Sequence, residues 1–150
     1  MFFCLLSFFL SFHFHRNPSL HLLTQRQKSL IIDGSYVITT LNISYTAAYS
    51  TSKTASKTAV AYSPNGSKIC TFTVTGTFEI NSGSSVSCTS ASYSKNIYDS
   101  TWNFISASTS RNNSSSSKAS ASAKGYFKNA TGGSQTLTPT VYCDKNGNIS

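Results

Sequence analysis

The stretch Lys68–Ile80, KICTFTVTGTFEI, decides the fold, because two kinds of residue take strict turns along it. Cys70, Phe72, Val74, Gly76, Phe78 and Ile80 occupy one set of alternate positions; Thr71, Thr73, Thr75, Thr77 and Glu79 occupy the other. Successive side chains of an extended strand point to opposite faces, so this alternation predicts a β-strand with one face buried and one in water. A helix would spread the same apolar residues around its circumference.

The same period recurs on either side. In Lys118–Lys128, Ala119, Ala121, Ala123, Gly125 and Phe127 are expected to face inward, with Lys118, Ser120, Ser122, Lys124, Tyr126 and Lys128 outward. Leu41, Ile43, Tyr45, Ala47 and Tyr49 make a third inward row, and Leu137, Pro139, Val141 and Cys143 a fourth. Weaker strands are read at Ala55–Tyr62, Val86–Tyr93 and Thr101–Ser108. Turn chemistry separates them: Pro64-Asn65-Gly66, Asn81–Ser84, Arg111–Ser116 and Thr131–Ser134 supply the Asn, Gly and Ser that tight connections favour. About seven short strands at this spacing predict an all-β fold, an antiparallel immunoglobulin-like β-sandwich over residues 31–150, with a small barrel as the alternative. Pro139 cannot donate to a ladder, so the last strand belongs at an edge or carries a bulge there.

Residues 1–30 read differently. Phe2–Phe14 (FFCLLSFFLSFHF) holds six of the ten Phe, and an apolar run this short suits a secretory leader rather than a membrane-spanning helix of roughly 20 residues. The first basic residue is Arg16, behind the run, and no A-x-A-like cleavage site follows; that fits a start further upstream or an uncleaved anchor, through which alone the chain would touch a membrane. Arg16–Ser29 is expected to be a polar linker. His13, His15 and His21 lack the Cys or carboxylate neighbours of a zinc site and are read as incidental. The secreted or cell-surface compartment is therefore expected.

Only 11% of the 150 residues are charged, against roughly 25% in an ordinary domain, and about a third are Ser or Thr. This excludes coiled coils, charged helical bundles and acidic tails. It also implies a thin core, since Ala, Gly and Ser at inward positions remove little apolar surface from water. Cysteines are the expected remedy. Cys88 shares a face with Val86, and Cys143 with Val141, so a Cys88–Cys143 disulfide is the favoured pairing and would contribute roughly 4 kcal/mol in the chain-entropy picture. Three domain cysteines allow three pairings, and Cys70 is read as the buried, inert remainder. In a reducing cytosol all four cysteines would stay thiols.

The domain offers little catalytic chemistry. No His lies beyond residue 30, which removes imidazole-activated nucleophiles and imidazole metal ligands. Its carboxylates are Asp33, Glu79, Asp99 and Asp144; a glycosidase-like pair would require Glu79 and Asp99 to converge. Asp144-Lys145-Asn146-Gly147-Asn148 lacks the sixth-position Gly and closing Glu of a calcium loop and is read as a hairpin turn. No catalytic residue, metal site or cofactor is assigned.

Binding features remain. From residue 31 on, nine basic residues face four acids. Lys118, Lys124 and Lys128 share one outward row and are candidates to attract a polyanion, though lysines of this kind also guard a solvated sheet edge. Tyr126, outward beside Lys124 and Lys128, is the exposed aromatic candidate, whereas Trp102 is read as a core anchor. Aromatics do not interleave with basic residues as in single-strand binders, so nucleic acid is not an expected partner. Six Asn-x-Ser/Thr sites, Asn42, Asn65 and Asn129 among them, matter only in a glycosylating host.

The segments YSPNGSKICTFTVTGTF (62–78), SSVSCTSASYSKNIYDSTWNFISAS (84–108), SKASASAKG (117–125) and TPTVYCDKNGNIS (138–150) carry a resemblance. They resemble uncharacterised small secreted Ser/Thr-rich β-sandwich proteins of Firmicute-type bacteria, through the TFTVTG strand, the two Cys and the element Ile97, Tyr98, Ser100, Trp102. The resemblance implies a signal peptide and a sandwich but brings no activity or ligand. The expected function is an exported, non-catalytic interaction module for a glycan, cell-wall polymer or surface protein; the alternative is a structural or self-assembling extracellular protein.

Overall fold

A computed structural model of the chain describes residues 20–31, 34–46 and 51–150. The expected leader Phe2–Phe14, and Ala47 and Tyr49 of the third inward row, lie outside the described residues.

The described chain is all-β, with two antiparallel sheets and no helix. One sheet runs in chain order through β1 (Leu20–Leu30), β2 (Tyr36–Thr46), β3 (Ser52–Tyr62), β4 (Lys68–Asn81) and β5 (Ser85–Ile97). The other holds β6 (Trp102–Ser115), β7 (Lys118–Asn129), β8 (Ser134–Leu137) and β9 (Thr140–Asp144), with β7 in the middle, β6 on one side, and β8 and β9 sharing the other. The sheets pack face to face, β4 and β5 against β6, β7 and β9, as in a sandwich. Immunoglobulin-like connectivity is not what the sheets show: β1 to β8 each pair with their chain neighbours within a sheet, without a Greek-key return. Short polar turns after almost every strand favour this meander, because each hairpin closes before a distant pairing can form.

Two differences from the sequence expectation are instructive. The segment expected as a polar linker supplies β1, paired with β2 from Leu20↔Thr46 to Leu30↔Tyr36. Its residues Thr24–Leu30 are exposed, so hydrogen bonding to β2, not burial, recruits them. The fourth expected strand is broken in two at Pro139, which lacks an N–H; its carbonyl instead accepts from Ala123 N at 3.1 Å, and β8 and β9 fall at the sheet edge as a proline requires.

The inward rows of β4 and β7 meet in the core. Phe72, Phe78, Val74, Phe127, Leu137 and Val141 are fully buried, and Phe72 and Phe127 cross edge to face at 6.0 Å. The sheets approach closely where side chains are small. A Cβ on Gly76 would lie 2.6 Å from the Ala121 Cβ, and one on Gly125 would lie 2.7 Å from the Phe72 ring. Glycine is therefore required at both positions by the opposing sheet.

One lateral side of the sandwich is fastened by side chains. Asn113 Oδ1 accepts from Cys88 N at 2.7 Å while its Nδ2 donates to Cys88 O at 3.2 Å, and Arg111 Nη1 donates to Thr89 O at 2.7 Å. The β5 edge, which would otherwise show bare backbone, is thus tied to β6 at this end.

Candidate functional site

The outward face of the second sheet gathers the residues singled out as ligand-facing. Alternation along β7 places Lys118, Lys124 and Lys128 in solvent and leaves Tyr126 half-exposed, as expected; Ser120 is the exception and is buried. Cross-strand register sets their neighbours. Lys128 lies between Asn103 and Ser134, Tyr126 between Ser106 and Thr136, Lys124 beside Ser108, and Ser122 between Ser110 and Thr140. The Lys118 Nζ sits 4.3 Å from the centroid of the Tyr142 ring, which is itself 38% exposed. With a rise of about 3.3 Å per residue, Lys124 and Lys128 stand about 13 Å apart and the row from Lys118 spans about 33 Å.

β7 is the central strand of its sheet, so these lysines do not guard an edge. Within this face the one carboxylate is Asp144, opposite Lys118 at the end of the row. Its oxygens accept from Asn148 N and Nδ2, both at 2.8 Å, and from Asn146 N at 2.9 Å. Bonding to the Asn148 side chain, then to the Asn148 backbone, holds its pKa below the ordinary value. Gly147, at φ 81°, completes the hairpin turn expected here, and Lys53 Nζ donates to its carbonyl at 2.7 Å.

The glycosidase-like pair does not converge. Asp99 N bonds Ile69 O near the start of β4, whereas Glu79 lies ten residues further along that strand, about 33 Å away; paired glycosidase carboxylates stand within about 10 Å. Asp99 instead accepts from Thr101 Oγ1 at 2.7 Å and Thr101 N at 2.9 Å, which lowers its pKa. Among the described residues no His, Cys, Asp and Glu cluster could hold a metal ion.

The expected Cys88–Cys143 bridge is not formed: Cys70, Cys88 and Cys143 are buried thiols. Each member of the favoured pair has another partner, Cys88 Sγ donating to Ser90 O at 3.2 Å and Cys143 Sγ to Asp144 O at 3.4 Å. The two are close enough to act on one another electrostatically. Cys70 is remote, since Cys88 pairs with Phe78, eight residues along β4 from Cys70 and about 26 Å away. Burial pushes Cys70 up to about 12 and Cys143 to about 11.

Trp102 is half-buried and packs against the core, in keeping with an anchor. Sequence reasoning missed a second aromatic feature on the first sheet, where Tyr36 and Tyr62 stack at 4.7 Å with Lys28 Nζ 3.9 Å from the Tyr36 centroid. The signal was Gly34, at φ 84° in the short link between β1 and β2. Lys57 was also missed. It lies in register between Leu41 and Val74 on the inward face of β3, and desolvation lowers its pKa. Comparison with protein-family models, with curated proteins and with solved structures finds no match to this chain.

Proposed function

We propose that the chain is an exported, non-catalytic interaction module that works at or outside the cell surface and binds through the outer face of its second sheet. One observation carries the reading: Lys118, Lys124, Tyr126 and Lys128 project from the middle strand of that sheet, where protection of an edge cannot account for them. Three lysines against one carboxylate, Asp144 opposite Lys118, leave the face with a net positive charge that favours association with an extended anionic surface. The expected family resemblance, to small secreted Ser/Thr-rich sandwich proteins, supports the same compartment.

The test is retention of the purified protein on isolated cell walls. Retention that is lost when Lys124, Tyr126 and Lys128 are changed together to Gln, Ala and Gln supports the reading; retention unaffected by that change refutes it. A second reading, self-assembly through strand edges, is favoured by β6, fourteen residues long with Arg111 as its single charge. Concentration-dependent light scattering without wall retention would select it.

A further inference from the structure

We propose that the ligand of this face is a linear, phosphate-bearing polyanion that lies along β7, its charges against Lys118, Lys124 and Lys128. The inference rests on the interaction-module reading and specifies its chemistry.

Three features of the face carry it. The first is collinearity: all three ammonium groups belong to one strand, spaced about 20 Å and about 13 Å apart, so a compact anion touches one of them at a time. A single exposed charge pair is worth roughly 0 to 1 kcal/mol, which gives no useful affinity. A chain long enough to reach all three gains each further contact intramolecularly, and its avidity exceeds any single affinity by orders of magnitude. The second is the flanking chemistry. Ser106, Ser108, Ser110, Thr136 and Thr140 line the row on both sides, and their hydroxyls can donate to oxygens on more than one side of a phosphate. Lysine is itself a point-charge phosphate binder and does not demand the planar, two-pronged acceptor that arginine matches. The third is charge balance: the ammonium groups of Lys124 and Lys128 face no carboxylate across their strand pairs, so an external anion supplies it.

A nucleic acid shares the phosphates but adds bases, and bases need aromatic platforms in series. Here two rings, Tyr126 between Lys124 and Lys128 and Tyr142 beneath Lys118, stand about 20 Å apart along the row, too far apart to stack successive bases.

The experiment measures binding of the full chain to long-chain inorganic polyphosphate, with tripolyphosphate as the short control and oligo-dT as the nucleic-acid control. The expected result is binding of the long polymer, loss of it with tripolyphosphate, and weaker binding of oligo-dT at equal phosphate concentration. The logarithm of the binding constant should fall against the logarithm of salt with a slope of about −2 to −3, as for roughly three released counterions. Each of Lys118→Gln, Lys124→Gln and Lys128→Gln should weaken binding about 3- to 10-fold, Lys124→Arg should preserve it, and Lys68→Gln, on the other sheet, should change nothing. Equal affinity for long and short phosphates, or tighter binding of oligo-dT, overturns the proposal. Failure of polyphosphate binding while cell-wall retention still depends on Lys124, Tyr126 and Lys128 overturns the polyanion but leaves the interaction face standing. Failure of both removes both.

Discussion

Replacing Gly76 with Ala isolates the closeness of the two sheets. The backbone at Gly76 is not among the positive-φ glycines, so an alanine fits locally and by itself would gain about 0.4 to 1 kcal/mol from a less flexible unfolded chain. The added Cβ would nevertheless stand 2.6 Å from the Ala121 Cβ, about 1 Å inside ordinary carbon contact, with the Phe78 ring at 3.1 Å. Phe78 can tilt, but Ala121 is fixed to the middle strand of the opposing sheet, so the sheets must part. Overpacking of this kind costs about 1 to 3 kcal/mol out of a total of roughly 5 to 15. Ala121→Gly removes the opposing methyl and should cost about 1 to 2 kcal/mol alone, from the lost methyl burial and a more flexible strand. The double variant should be more stable than the sum of the two single losses by about 1 to 2 kcal/mol, since one Cβ now occupies the space of the other. Urea melts of the four proteins, analysed as a double-mutant cycle, give that coupling directly. Additive losses, or a Gly76→Ala variant as stable as the parent, would refute the close-approach argument.

Three further outcomes are expected. Lys57→Met keeps the aliphatic stem between Leu41 and Val74 and removes a partly desolvated ammonium, so it should raise the unfolding free energy at neutral pH, read as a higher urea midpoint, by at most about 0.5 kcal/mol, because the group keeps much of its hydration. Because the Lys57 pKa is lowered on folding from 10.5, the penalty is fully present while the group is charged in both states; the gain from the variant should shrink as pH rises through the lowered folded value and vanish above 10.5, and a pH-independent gain would contradict it. The three thiols, buried and with raised pKa values, should resist alkylation in native reduced protein at pH 8 and react fully in denaturant, read by intact mass; rapid native labelling would contradict their burial. Asp99 and Asp144 have lowered folded pKa values, so their contribution is present above the ordinary carboxylate range and is lost as pH falls through the folded values. Acid unfolding of Asp144→Asn should therefore begin from lower stability and show a shallower pH dependence below about pH 4, where an unchanged curve would sink the argument.

How much was legible follows from which physical signals are local. Strict alternation in Lys68–Ile80 and Lys118–Lys128 located β4 and β7 and both their faces, because one-sided burial writes itself into neighbouring residues. The outward lysines and Tyr126 came with it. What alternation does not carry is a strand's place within a sheet: the lysines of β7 read more readily as edge residues until pairing put β6 on one side and β8 and β9 on the other. β1 went unread for a related reason. Thr24–Leu30 buries nothing, so no apolar period marked it, and only Gly34 signalled that the chain doubles back. Lys57 sat among alanines too small to define a face, and its inward position emerged only from its register with Leu41 and Val74. Glu79 and Asp99, twenty residues apart in the chain, could be judged only once both were placed against the length of β4.

The Asn113 amide, holding both backbone groups of Cys88, does for one residue what a neighbouring strand would do for many. Together with Arg111 on Thr89 O and Ser116 O on Val86 N, it occupies the outer backbone of β5 over Val86–Thr89, and a foreign chain seeking that border finds the place taken. A handful of bonds from β6 and its turn therefore close this part of the flank to strangers.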